Sequence, residues 1–426
     1  MSAAEGERGR APRGRASAVR ITTVLCLAEV LGMVAFATYS ANVPGFIAEW
    51  GLTNTEAGWI GGVFSLGNLL ALPFLVSLTD RIDARLIYIA STGLMGAAHL
   101  CFGLFADGFW SAMLFRGLAG VGYGGSFIPG MRLLGDLVAG PGHARAITLY
   151  SGGAALGGAI SFFISGIAFA WLDWRWAFLL GGLGCLLALL GVLFLVPSAE
   201  KRPAAAARPP LLDFRPVLRN RRTVGYILAN VGHQFETYGA RGWTVAFFAF
   251  ALAAQGLDRL PLGLSPPILM SAVVLIGFGG NYAGGALAQR YGRTPVVVGV
   301  ALASLAAALA VGLSPLLPFV LVVAAVCLHS ATMTADNAVL NAGALSVAAP
   351  ETRGATMAVY GFFGFLGAMV GPTMFGIVLD LVGSHSFVGW LAAFATLGLV
   401  GLLGATGLVL AERSGRRGPG ERGESP

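Results

Sequence analysis

The chain has 426 residues and a formal net charge of +7, yet only 11% of its residues are charged and 56% are hydrophobic, against roughly 25% charged residues in soluble domains. That balance excludes a water-soluble globular domain. The basic residues lie mostly between apolar stretches, which also argues against a nucleic-acid partner, and the lipid bilayer is the expected solvent of an all-α polytopic membrane protein.

In chain order, residues 1–20 carry Arg8, Arg10, Arg13, Arg15 and Arg20 with no apolar core, so they read as a cytoplasmic tail and not as a signal peptide. Six apolar spans follow, at 21–46, 55–79, 86–106, 110–137, 145–170 and 175–196. Residues 197–222 are rich in Pro, Ala and Arg and form a cytoplasmic linker, with a short amphipathic helix expected around 211–222. Six more spans lie at 223–252, 265–289, 295–313, 317–346, 353–381 and 387–411, and 413–426 is a second tail. The predicted organisation is a six-helix bundle over 21–196 and another over 223–412.

Among the 27 Lys and Arg residues, Arg116 and Arg241 lie deep inside spans and Arg175 and Arg259 border the opposite face; all the others gather at one face. By the positive-inside rule that face is cytoplasmic, with both termini on it. Trp50, Trp59, Trp110, Trp171, Trp174, Trp176 and Trp390 fall at the other face, where an aromatic belt belongs, while Trp243 alone is deep in a span. Cys26, Cys101, Cys185 and Cys327 sit singly within spans, without disulfide or metal spacing. No phosphate loop or nucleophile motif is present either, so no cofactor, metal or enzymatic activity is expected. The 63 glycines suit close helix packing.

The two halves are alike. An offset of 210 aligns Tyr150 with Tyr360, Gly157 with Gly367 and Gly166-Ile167 with Gly376-Ile377, and an offset of 209 aligns Leu78 with Leu287 and Arg81 with Arg290. Parallel repeats of this kind are one way that secondary transporters build alternating access.

These features resemble the major facilitator superfamily, over residues 20–412. Its loop signature between spans two and three is matched by Leu78, Thr79, Asp80, Arg81 and Arg85, with Val76, Asp83 and Ala84 as departures; the second copy has Gly285, Leu287, Arg290, Gly292 and Arg293, with Gln289 in place of the acid. Arg116-Gly117 and the glycines at 120, 122, 124 and 125 resemble the family's fourth span. The resemblance implies a twelve-helix fold of two pseudo-symmetric bundles. It also implies a gating role for Asp80, Arg81, Arg85, Arg290 and Arg293, with Asp136 as a partner for Arg81 or Arg85; fixing topology alone is the alternative. Glu236-x-x-x-x-Arg241-x-Trp243 and Arg353-Gly354-Ala355-Thr356-Met357-Ala358 are similar to the cyanate and nitrate/nitrite-like branches, although the full glycine-rich nitrate signature is absent.

Ionisable residues inside spans are functional candidates because each costs at least roughly 2.5 kcal/mol to insert. They are Glu29 in span one, Arg116 in span four, His233, Glu236 and Arg241 in span seven, and His329 and Asp336 in span ten, the four spans that line the central cavity in the superfamily. On a regular helix Glu236 and Arg241 are about 140° apart, so they do not pair with each other. Arg241 would face Asp336 or an anionic substrate. His99 reads as a packed core histidine, Asp380 as a snorkelling end residue and Asn281 as interhelical glue. The span-five Gly153-x-x-x-Gly157 continues into Gly158 without the proline that marks antiporters, which favours uptake. The expected activity is therefore secondary transport of a small organic or inorganic anion, coupled to protons, by a monomer in the plasma (inner) membrane. Drug efflux and a non-transporting sensor are the alternatives; paired cations in the cavity argue against the first and short tails against the second.

Overall fold

The computed structural model describes residues 15–79, 81–138, 140–198, 215–257, 260, 264–349 and 352–416. Asp80, Arg259, the outer parts of both tails and most of the linker lie outside the described residues. The first half is built from α1 (Arg15–Met33), α2 (Val43–Trp50), α3 (Asn54–Leu78), α4 (Ala84–Phe105), α5 (Phe109–Gly124), α6 (Phe127–Leu137), α7 (His143–Trp171) and α8 (Trp174–Leu195). The second half has α9 (Arg215–Arg219), α10 (Arg221–Ala254), α11 (Pro266–Tyr291), α12 (Arg293–Leu313), α13 (Phe319–Thr334), α14 (Asn337–Val347), α15 (Arg353–Val382) and α16 (Phe387–Arg416).

Nine helical runs among the described residues are long and apolar enough to cross a bilayer. The other three spans are α1 with α2, α5 with α6, and α10, and each has a local reason. Residues 34–42 between α1 and α2 are turns with short backbone bonds such as Phe36 N to Met33 O at 3.0 Å. In lipid the backbone groups freed by such a break need partners. Ser161 of α7 supplies both: its Oγ accepts from Ala37 N at 2.9 Å and donates to Val34 O at 2.5 Å. The ring of His99 reaches Ala35 O and Met95 O, each at 2.8 Å. α10 is unbroken over 34 residues but carries His233, Gln234, Glu236 and Arg241.

Spans four and ten, expected as single helices, are each broken near the middle, at Gly125-Ser126 and at Ala335-Asp336. The breaks are duplicated. α5 and α13 have the same length, as do α6 and α14, and all four bounds are related by an offset of 210. The 210-residue repeat thus extends to the kink itself.

Packing is tightest where glycine lets backbones touch: a Cβ on Gly120 of α5 would run into the Phe64 carbonyl oxygen of α3. One buried apolar cluster runs through both halves at the tryptophan-rich end, joining Phe46, Phe102 and Phe178 to Phe247, Phe375 and Phe394. Toward the arginine-rich end the core divides into two, one around Tyr88 and Tyr150 and the other around Tyr226 and Leu340. Of the expected linker helix at 211–222, the described part forms α9, and its Val217 is buried in the second of these.

The halves meet chiefly along α3 with α15 and α7 with α11. Asp380, expected to snorkel, instead accepts four hydrogen bonds at the start of α3: from Asn54 N (3.1 Å), Asn54 Nδ2 (2.7 Å), Thr55 N (2.7 Å) and Thr55 Oγ1 (2.6 Å). The tryptophan belt also needs correction. Trp110 and Trp171 are about four-fifths exposed, but Trp174 and Trp390 are core residues whose indole N–H groups reach Glu49 Oε2 (2.7 Å) and Ser384 O (2.8 Å).

Candidate functional site

A cavity lies between the halves, where the broken segment after α1 faces α10. Phe36, Tyr39 and Ser40 form one wall, Tyr238, Arg241 and Trp243 the other, and Phe64, Arg116 and Pro372 close it. Water-sized molecules can centre themselves in ≈ 40 Å³ of it, where one water needs about 10–15 Å³. The polar ends of two of its aromatics are tied back into the scaffold: Tyr39 Oη donates to Ala57 O at 2.8 Å and Trp243 Nε1 to Pro372 O at 2.9 Å.

Arg116, 4% exposed, is clasped by two of those rings, 4.5 Å from the Phe64 centroid and 5.4 Å from that of Tyr39. Cation–π contact covers the faces of the guanidinium but leaves its edge N–H groups free to donate. Nε and Nη1 of Arg116 are buried without a hydrogen-bond partner, and so is Nε of Arg241. One arginine comes from each half, and both line one cavity.

The other five sequence-predicted residues are elsewhere. Glu29 is buried inside the first half, where Tyr150 Oη donates to its Oε2 at 2.7 Å. Glu236, His233, His329 and Asp336 meet inside the second half, with Glu236 Oε1 3.0 Å from His329 Nε2 and His233 Nδ1 2.7 Å from Asp336 Oδ1. The reason is angular: on the regular α10, Glu236 and Arg241 point about 140° apart, so one faces α12 and α13 while the other faces the first half. Asp336 does not meet Arg241, because His233 is already against it. Ser304, which donates to Glu236 Oε1 at 2.7 Å, had no distinguishing sequence signal. Trp243 did, as the lone tryptophan deep in a span.

The loop residues are placed as follows. Arg85 reaches the end of α8, bonding Leu193 O, Val192 O at 3.4 Å and Ser198 Oγ at 3.3 Å. Arg132 links Asp136, at 3.9 Å, to Thr79 Oγ1, at 2.6 Å. Arg81 is exposed at the start of the same loop. Arg290 covers the Tyr291 ring, and Arg293 donates to Ser346 Oγ at 2.6 Å.

A family model described as Major Facilitator Superfamily matches residues 25–372 and 239–426. The probable 4-methylmuconolactone transporter of Cupriavidus pinatubonensis is 25% identical over 275 residues, covering 61% of this chain and 60% of that protein. The niacin transporter NiaP of Acinetobacter baylyi is 29% identical over 139 residues, covering 32% of this chain and 31% of that protein. The chain thus aligns with less than two thirds of the length of these curated relatives. Among solved structures, that of a point mutant of the nucleoside transporter NupG superposes with a TM-score of 0.78 at 14% identity, covering 92% of this chain and 99% of that one, a likeness of fold.

Proposed function

This chain belongs to the Major Facilitator Superfamily, and on that premise we propose that it is a secondary carrier that moves a small organic anion, a flat ring bearing a carboxylate, together with protons. The units at 21–196 and 223–412 rock about the cavity, joined by the linker at 197–222. With the arginine-rich face in the cytoplasm of a plasma-membrane protein, the end closed by Asp380 and the shared aromatic core is the outside, and the split core opens inward. One monomer contains the whole path.

The observation that carries the reading is the pair of arginines, one from each half, with orphaned N–H groups in a single cavity. A buried donor without a partner costs about 1–3 kcal/mol, more when charged, and a carboxylate accepts from arginine edges in a directional way. The rings of Phe36, Phe64, Tyr238 and Trp243 that line the cavity suit a flat apolar body. Relatives named for 4-methylmuconolactone and niacin, both small ring compounds, agree with that shape. A cationic drug would meet two like charges here.

The test is uptake by proteoliposomes of labelled nicotinate, benzoate and cyanate, with and without an inward proton gradient. Uptake of a ring carboxylate that rises with the gradient is expected, and Arg241→Ala or Arg116→Ala should weaken it at least about thirtyfold, since truncating one partner of a buried charge pair costs roughly 2–5 kcal/mol. A silent Arg241→Ala protein that expels cationic dyes would end this reading.

A further inference from the structure

A second, smaller cavity lies wholly within the second half, lined by His233, Glu236, Ser304, Met333, Asp336 and Gly401. Its ≈ 10 Å³ open to water centres admits about one water. The four ionisable groups around it form two crossed imidazole–carboxylate pairs between α10 and the α13–α14 span, and the pairs differ in quality. Glu236 is held on every side: Oε1 by Ser304 and His329, and Oε2 against Gly401, where a Cβ would come within 2.5 Å. His233 Nδ1 and Asp336 Oδ1 are 2.7 Å apart, yet both atoms are buried with no aligned hydrogen bond. The two atoms are within reach of each other, but the ring geometry closes no hydrogen bond between them.

The repeat adds an independent observation. Asp336 stands at the break between α13 and α14, and its counterpart 210 residues earlier is Ser126, at the break between α5 and α6. Ser126 closes its kink by donating to Tyr123 O at 2.9 Å. The kink therefore forms without an acid, and turn geometry does not explain why Asp336 is tolerated at this depth. The other groups that act on the pair are Glu236 and Arg241 on α10 and Tyr360 on α15, whose buried hydroxyl has no partner. His329 on α13 and Ser304 on α12 face Glu236, and α16 contributes only the uncharged Gly401.

Building on the carrier reading above, we propose that His233 and Asp336 are the exchangeable proton site of this carrier, separate from the arginine cavity, and that Glu236, His329 and Ser304 are its fixed frame. With one proton the pair is a carboxylate beside an imidazolium, neutral overall. A second proton forms one O–H bond on Asp336 and leaves a net positive charge. Arg241, about 12 Å further along α10 by helical rise, opposes that charge until an anion neutralises it. Anion and proton then load together, and the coupling is reciprocal.

The site is tested without any substrate, by pH-difference infrared spectra of the full-length protein in lipid. Acidification should bring up a carboxylic-acid component that is lost in Asp336→Ser and Asp336→Asn and kept in Glu236→Gln and Glu29→Gln. Asp336→Ser installs the residue that the chain itself uses at the equivalent kink, and Asp336→Asn is isosteric. A component that survives both Asp336 variants, that disappears in Glu236→Gln or Glu29→Gln instead, or that never forms in the parent protein overturns the proposal. If the component behaves as expected but no carboxylate is transported, the substrate reading fails and the proton site stands.

Discussion

At the same kink, 210 residues apart, the first half carries Ser126 and the second Asp336, and the surroundings differ to match. Among the described residues, the first half buries one acid, Glu29, on one tyrosine hydroxyl, whereas the second buries two acids on two imidazoles and a serine. Duplication supplied the scaffold to both halves, breaks included. Among the described residues the imidazole–carboxylate pairs lie in the second half, while the arginine cavity draws on both.

The sharpest way to break this comparison is to move the acid. Ser126→Asp puts a carboxylate at a 6%-exposed site in the first half that has no imidazole partner. Leaving a buried charge uncompensated costs roughly 3–5 kcal/mol, so a large fall in thermal stability is expected in detergent melts, and a melt like the parent's would show that the first half tolerates charge as well as the second. A smaller effect is expected from Glu236→Leu, which leaves His329 and Ser304 without their shared acceptor at a cost of about 1–3 kcal/mol. Glu29→Gln should be milder still, at about 0.5–1.5 kcal/mol, because the amide oxygen can still accept from Tyr150. If the melting order of Glu236→Leu and Glu29→Gln reverses, the second half is not the one that depends on its buried network.

Much of the fold was legible because span length, arginine placement and the repeat are one-dimensional properties of the chain. The kinks at Ser126 and Asp336 were not, since 110–137 and 317–346 each have the length of a single span; Gly125 and Pro129 in the first and Asp336-Asn337 in the second are the local signals. For the candidate site, the spacing from Glu236 to Arg241 ruled out an internal pair, because angle about a helix axis can be read from residue number. Which neighbour each side chain meets depends on how the helices are rotated against one another, so Glu29, Glu236 and Asp336 were expected beside Arg116 and Arg241 and are instead enclosed within their own halves. Trp174 and Trp390 departed from the belt for the same reason: position along a span does not say whether a residue faces lipid or a neighbouring helix.

Asp380 offers the finest test, because it links the two halves and does not belong to one. Its carboxylate caps α3 from outside that helix, taking the Asn54 and Thr55 amides, while Thr53 and Glu56 cap the same end from within. A capping carboxylate contributes typically about 1 kcal/mol, and here that energy exists only while α15 stands against the start of α3. Rocking the halves apart at this end must break all four bonds. Asp380→Ala should therefore shift the balance toward the state open at the tryptophan-rich end by roughly 1 kcal/mol, about fivefold in population, with little change in the fold of either half. Ser40, which lines the cavity, provides the reporter. In a background lacking Cys26, Cys101, Cys185 and Cys327, Ser40→Cys should react with an impermeant maleimide applied from outside about five times faster when Asp380 is Ala. An unchanged rate would mean that the closure rests on the apolar contacts of α3, α7, α11 and α15, and that the acid is only a local cap.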